Sequence, residues 1–150
     1  PTIFSPVHDS LIRTGYNMFK DKPLLGHGPK MFREICKDKK YSEGIRPCLT
    51  HPHNFYVQLL AETGIIGFLF LFSVFIYILL AALRQLVSII FNQKRPFTDY
   101  QVCLLAAMLI SVWPFSPNGN FFNNWLMIIY SLPFGFYLQS IYHEKNNKNN

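Results

Sequence analysis

Gly64-Ile-Ile-Gly-Phe-Leu-Phe-Leu-Phe-Ser-Val-Phe-Ile-Tyr-Ile-Leu-Leu-Ala-Ala-Leu83 runs without one charged side chain. A helix of about 20 apolar residues covers the ~30 Å hydrocarbon core of a bilayer. The stretch therefore predicts a transmembrane helix, closed by Arg84, and sets the fold class: an all-α membrane protein. Two further apolar segments lie downstream. One runs from about Tyr100 to Phe115, short for a span and ended by Pro114. The other runs from Trp125 to Tyr142, with an aromatic residue at each end, where interfacial aromatics collect, and Pro133 inside as a kink. About three spans are expected, at 64–83, 100–115 and 125–142.

The linker from Gln85 to Asp99 holds Lys94, Arg95 and the helix breaker Pro96, and its apolar part, Leu86 to Phe91, is placed to extend the first helix. Ser116 to Asn124 carries no charge, whereas the linker and the tail, 143–150, both carry basic residues. The positive-inside bias puts linker and tail in the cytoplasm, and residues 1–63 with the 116–124 loop outside. Nine basic residues before residue 50 oppose that orientation, but long translocated regions follow the bias poorly.

Composition agrees with a bilayer as solvent. The chain has 150 residues, 50% hydrophobic and 15% charged, against about 25% charged in a soluble domain. Most charges precede residue 50, where nine basic residues against five acids leave +4 of the total +6. A basic surface beside a membrane suits anionic headgroups, nucleic acid or a phosphorylated substrate, and a solvated loop equally. The chain opens at Pro1 with no signal-peptide pattern, so it reads as the end of a longer membrane protein.

The first 63 residues are expected to form a partly helical loop. Leu11, Ile12, Tyr16, Met18 and Phe19 recur at helical spacing, with Asp9 or Ser10 as N-cap and Pro23 beyond the end. Gly26-His-Gly-Pro29 reads as a turn, with Pro29 opening a helix over Lys30 to Cys36. Another helix is expected from Pro52 or Asn54, broken or kinked at Gly64.

Chemistry concentrates in Arg13, Gly26-His-Gly-Pro29 and Thr50-His-Pro-His-Asn54. A neutral imidazole can take a proton from a hydroxyl near neutral pH, which makes His51 and His53 candidate bases. Exposed histidines beside a helix cap are the alternative. The His-x-His spacing also admits zinc, but no Cys-x-x-Cys or His-Glu-x-x-His accompanies it, so no metal is expected. Cys36 and Cys48 share the loop; in an oxidising compartment they form a disulfide, and otherwise two thiols. Cys103 falls in a predicted span.

Gly26-His-Gly-Pro29 followed by His51-Pro-His-Asn-Phe-Tyr-Val-Gln-Leu-Leu-Ala-Glu-Thr-Gly-Ile-Ile-Gly67 resembles the signature of the O-antigen ligase and polymerase superfamily. Arg13 and Met18-Phe-Lys-Asp-Lys-Pro-Leu-Leu-Gly26 also fit, so the resemblance covers about residues 9 to 67. It implies an inverting membrane glycosyltransferase in lipopolysaccharide biosynthesis. Its donor is a glycan on undecaprenyl pyrophosphate, and its acceptor a sugar hydroxyl, as in lipid A-core. It implies no cofactor and no nucleic-acid partner. The location is the bacterial inner membrane, with the active-site loop facing the periplasm. By position, His53 is the implied general base and Arg13 the pyrophosphate clamp, with His51, Asn54, Gly26 and Gly28 as substrate contacts. Ligase, O-antigen polymerase and protein oligosaccharyltransferase share the pattern. The rival of another class is a transporter or scaffold whose basic loop binds lipid.

Overall fold

In the computed structural model, which describes residues 4–149, every regular element is a helix. These are α1 (Pro6–Asp21), α2 (Phe32–Ile35), α3 (Phe55–Ile90), α4 (Asp99–Ser111) and α5 (Asn124–Asn149). The chain divides into two units. One is the chain up to Phe72 with Pro114–Leu126; the other is Ser73–Trp113 with the chain from Met127 onward.

In the first unit, α1 is amphipathic. Leu11, Thr14, Gly15 and Met18 share its buried face, and Leu11 and Met18 join Phe32, Cys36, Tyr41 and Ala61 in one core. Full burial of such a Leu, Met or Phe side chain contributes about 1.5–3 kcal/mol. α1 begins a turn earlier than Asp9 or Ser10 would allow. Ser5 is the cap, its hydroxyl accepting from the His8 N–H at 3.4 Å, and Pro6 takes the first helical position, where no N–H is needed. α2 is shorter than expected, because Lys30 sits at φ 64, a left-handed conformation that no helix can include. The helix therefore starts at Phe32 and not at Pro29.

α3 is interrupted at Gly64 (φ 67, ψ −160), as the sequence implies. The break frees backbone groups, and the turn after α1 takes them. The His27 N–H donates to the Ala61 carbonyl (3.1 Å), the Gly28 N–H to that of Glu62 (2.8 Å), and the Ile65 N–H to that of Pro23 (2.8 Å). The two backbones approach so closely that a Cβ on Gly26 would overlap Glu62 and Thr63, and one on Gly64 would overlap Leu24 and Leu25. Both glycines also have φ near +65, where an L side chain costs roughly 1–2 kcal/mol.

The second unit is held by the C-terminal part of α3, α4 and α5. Ile78, Leu105, Met108 and Tyr137 are buried in it. Thr98 and Gln101 form a capping box on α4, and Gln101 reaches Glu144 at 3.3 Å. The buried Gln85 accepts the Phe97 N–H at 3.2 Å. α3 continues past Arg84 to Ile90, so Leu86 to Ile90 do extend the helix. α4 stops at Ser111, short of the expected 115, since Pro114 disfavours helical conformation in the residue before it. At 1.5 Å per residue α4 rises only about 20 Å. α5 runs through Pro133 and Tyr142 into the tail. Among the described residues, α3 alone is long and apolar enough to cross a membrane.

Candidate active site

The site is built where α3 begins. Asn54 caps the helix, its Oδ1 accepting the N–H groups of Tyr56 (3.0 Å) and Val57 (3.1 Å). Its Nδ2 donates to the Pro114 carbonyl at 2.7 Å, tying the 114–123 loop to the cap. His53, one residue earlier, stands at φ 55, an uncommon conformation for a residue with a Cβ. Its carbonyl accepts the Asn118 N–H at 2.9 Å, which helps hold the turn.

Three histidines gather here. The ring centroids of His51 and His53 are 4.1 Å apart, and those of His53 and His8 are 5.8 Å apart, edge to face. Ser5 Oγ lies 3.1 Å from His8 Nδ1, and Thr50 Oγ1 2.9 Å from His51 Nδ1. His8, Ile12, His53, Asn54, Phe115 and Ser116 line a cleft of about 20 Å³, room for about one water-sized group. Burial pushes the His53 imidazole below its ordinary pKa, and the neighbouring His8 adds to the effect. His51 is lowered too, by burial first and then by His53. Both rings are therefore neutral at pH 7, the form that accepts a proton. His8 was not singled out in the sequence, since the spacing of α1 marks its apolar face and says nothing of what packs on its first turn.

A polar rail continues along α3 at four-residue spacing. Gln58 Nε2 donates to Glu62 Oε2 (3.0 Å) and Asn120 Oδ1 (2.9 Å), and its Oε1 accepts the Phe121 N–H (2.9 Å). Glu62 Oε1 accepts the Phe32 N–H at 2.7 Å, at the start of α2. Both side chains are fully buried. Asn54, Gln58 and Glu62 thus fasten the 114–123 loop and the α2 segment to one helix.

The other expected site residues have different surroundings. Arg13 is 54% exposed, with Nε 2.8 Å from Asp9 Oδ2 and Nη1 3.1 Å from Glu43 Oε1; these carboxylates, and not the histidines, are its partners. The N–H groups of Gly26 and Gly28 are both spent on backbone carbonyls, those of Lys22 and Glu62. A disulfide joins Cys36 to Cys48 and closes the excursion that leads to His51. Cys103 lies exposed on α4.

Residues 10–72 match the O-antigen ligase family. The resemblance read over residues 9 to 67 is borne out. No curated protein and no solved structure matches the chain. The matched segment contains Arg13, the glycine turn, the disulfide, both histidines of the 51–54 turn and the whole Asn54–Gln58–Glu62 rail. His8 and the 114–123 loop lie outside it and are brought to it by packing and by hydrogen bonds.

Proposed function

We propose that this chain carries the acceptor-activating part of a membrane glycosyltransferase of the O-antigen ligase and polymerase superfamily. The observation that carries the reading is the neutral His53 imidazole in a histidine-lined cleft, beside the cap of α3 and inside the O-antigen ligase segment. In the proposed reaction the acceptor sugar hydroxyl gives its proton to His53 as its oxygen bonds to the anomeric carbon of the donor. The bond from that carbon to the pyrophosphate oxygen breaks on the opposite face, and the electron pair leaves with undecaprenyl pyrophosphate. The leaving group departs readily, so the remaining demand is for fixed positive charge. Arg13 is the proposed source, because guanidinium presents a planar fork to phosphate oxygens. A phosphate there would compete with Asp9 and Glu43 for the fork. Asn54 holds the turn that carries His53, and His51 lies against its ring.

The proposed setting is a membrane. Only 22% of the most apolar window of α3 is buried, far from what a soluble core helix would show, and Ile66, Leu69, Phe70, Leu80 and Leu83 are exposed along it. We read the apolar parts of α4 and α5 as further spans, and residues before Gly64 as periplasmic. Ligase and polymerase differ only in the acceptor. Glycan transfer from an undecaprenyl-pyrophosphate donor should fall by about 10²-fold or more in His53→Ala and His53→Gln, the usual worth of a general base. Activity within a few-fold of wild type would remove His53 from the chemistry.

A further inference from the structure

A second groove, in the first unit, is left unused by that chemistry. It encloses about 300 Å³, at the lower end of the ~300–1,000 Å³ usual for small-molecule sites. Lys30 and Arg33 line one side; Asn120, Phe122, Asn124 and Trp125 line the other. We propose that this groove is a binding subsite for an acidic sugar residue, one bearing a carboxylate or a phosphate.

The residue types match such a ligand group by group. A pyranose has apolar C–H faces and a rim of hydroxyls. Trp125, 79% exposed, offers a flat apolar ring with little else to cover it. Asparagine amides offer both donors and acceptors to hydroxyls. Asn120 spends its Oδ1 on Gln58 and on the Phe122 N–H, and its NH₂ makes no hydrogen bond within the described residues. The Lys30 backbone N–H is hydrogen-bonded to the buried Glu62 carboxylate, while its ammonium has no carboxylate partner among the described residues. Arg33 pairs with Glu34 at 3.4 Å, with both side chains more than half exposed, a contact of little worth that an anion can replace, and the buried Glu62 is within its electrostatic reach. Two cations without a buried ion pair, together with the amides of Asn120, Asn123 and Asn124 and an indole, select an anionic saccharide over a neutral one.

Both walls are also fixed beforehand. Gln58 holds Asn120 and Phe121, and Asn123 caps α5 by accepting the Trp125 N–H at 3.1 Å. Glu62 holds Phe32, between Lys30 and Arg33. The groove is thus anchored to the rail that begins at Asn54, so little ordering is left to pay on binding. That the ligand is a saccharide rests on the proposed transfer activity; the groove and its charge do not.

The test is direct binding to the purified chain in nanodiscs of zwitterionic lipid, with trigalacturonate, glucose 1-phosphate and neutral maltotriose as probes. Trp125 fluorescence, in a Trp113→Phe background, is the readout. Saturable binding of trigalacturonate or glucose 1-phosphate, about tenfold tighter than maltotriose, is expected; which anion prevails tells carboxylate from phosphate. Arg33→Gln and Lys30→Asn should each weaken it by about tenfold, asparagine being tolerated in the left-handed conformation of Lys30, and His53→Ala should leave it unchanged. Equal binding of neutral and anionic probes, or indifference to both substitutions, would overturn the proposal. So would a signal that appears only when phosphatidylglycerol is added to the disc, since the groove would then be a headgroup site. Absent binding with transfer intact removes the groove alone. Intact binding with transfer indifferent to His53 removes the transfer reading alone.

Discussion

His53 and Arg13 differ in what surrounds them, and each surrounding makes a separate prediction. An imidazole held below its ordinary pKa resists protonation in the folded state, whereas the unfolded chain takes that proton near pH 6.5. Stability is then full above about pH 6.5 and declines as pH falls below it. Thermal unfolding from pH 7.5 to 5 should show a falling Tm, with a shallower fall in His51→Gln and His53→Gln. A Tm that rises on acidification would contradict the burial described here. For Arg13, lysine keeps the charge and loses the fork. Arg13→Lys should therefore lose nearly as much transfer activity as Arg13→Ala; full activity in Arg13→Lys would leave only a diffuse electrostatic role. The 51–54 turn was legible because its chemistry is contiguous in the chain. His8 was not, for 45 residues separate it from His53 and only the packing of α1 closes that gap. Nor does sequence reveal that Asp9 and Glu43 share the Arg13 fork, since one of them is thirty residues away.

At the level of elements, the signature from Asn54 to Gly64 has an architectural meaning beyond the site. Asn54, Gln58 and Glu62 are spaced by four, so they project from one helical face. Gly64 then breaks the helix so that the Gly26 turn can dock on its freed carbonyls. The helix, its cap and its break could be read in the sequence, because capping and glycine signals are local. The partners of Gln58 could not, because they come from a loop about sixty residues further on. The same distinction explains α2, whose start is decided by Lys30 in a left-handed conformation and not by Pro29. Gln58→Ala leaves the Phe121 N–H and the Glu62 carboxylate short of a partner, and each unmet buried group costs roughly 1–3 kcal/mol. Gly26→Ala adds left-handed strain to a backbone collision. Both should lower the Tm of the purified chain clearly. Gly135→Ala is the control, since a Cβ there meets nothing within 4 Å. Equal Tm values for Gly26→Ala and Gly135→Ala would mean that the turn does not dock on α3 as described.

The whole molecule poses the question of solvent, and charge placement makes it testable. An α3 that is apolar yet largely unburied, with Arg84 near its C-terminal end and Lys94 and Arg95 beyond it, suits a helix that crosses a bilayer and emerges on the cytoplasmic side. If so, the residues before Gly64 face an oxidising compartment, where the Cys36–Cys48 disulfide persists. In intact cells, a membrane-impermeant thiol reagent should label Cys36 and Cys48 only after reduction. A cysteine introduced at Gln93 should resist the same reagent until the membrane is opened. The spans proposed for α4 and α5 add a further requirement, because two crossings after the linker return the chain to the cytoplasm. A cysteine introduced at Ser116 should therefore label from outside, and one at Asn146 should not. Reduction itself should matter to the site, since the disulfide closes the loop that ends at Cys48, three residues before His51, and its loss should lower transfer along with Tm. Labelling of Gln93→Cys from outside, with Ser116→Cys protected, would invert the topology. The histidine cleft would then open to the cytoplasm, where it could not meet an acceptor on the far side of the membrane, and the transfer reading would fall with the orientation.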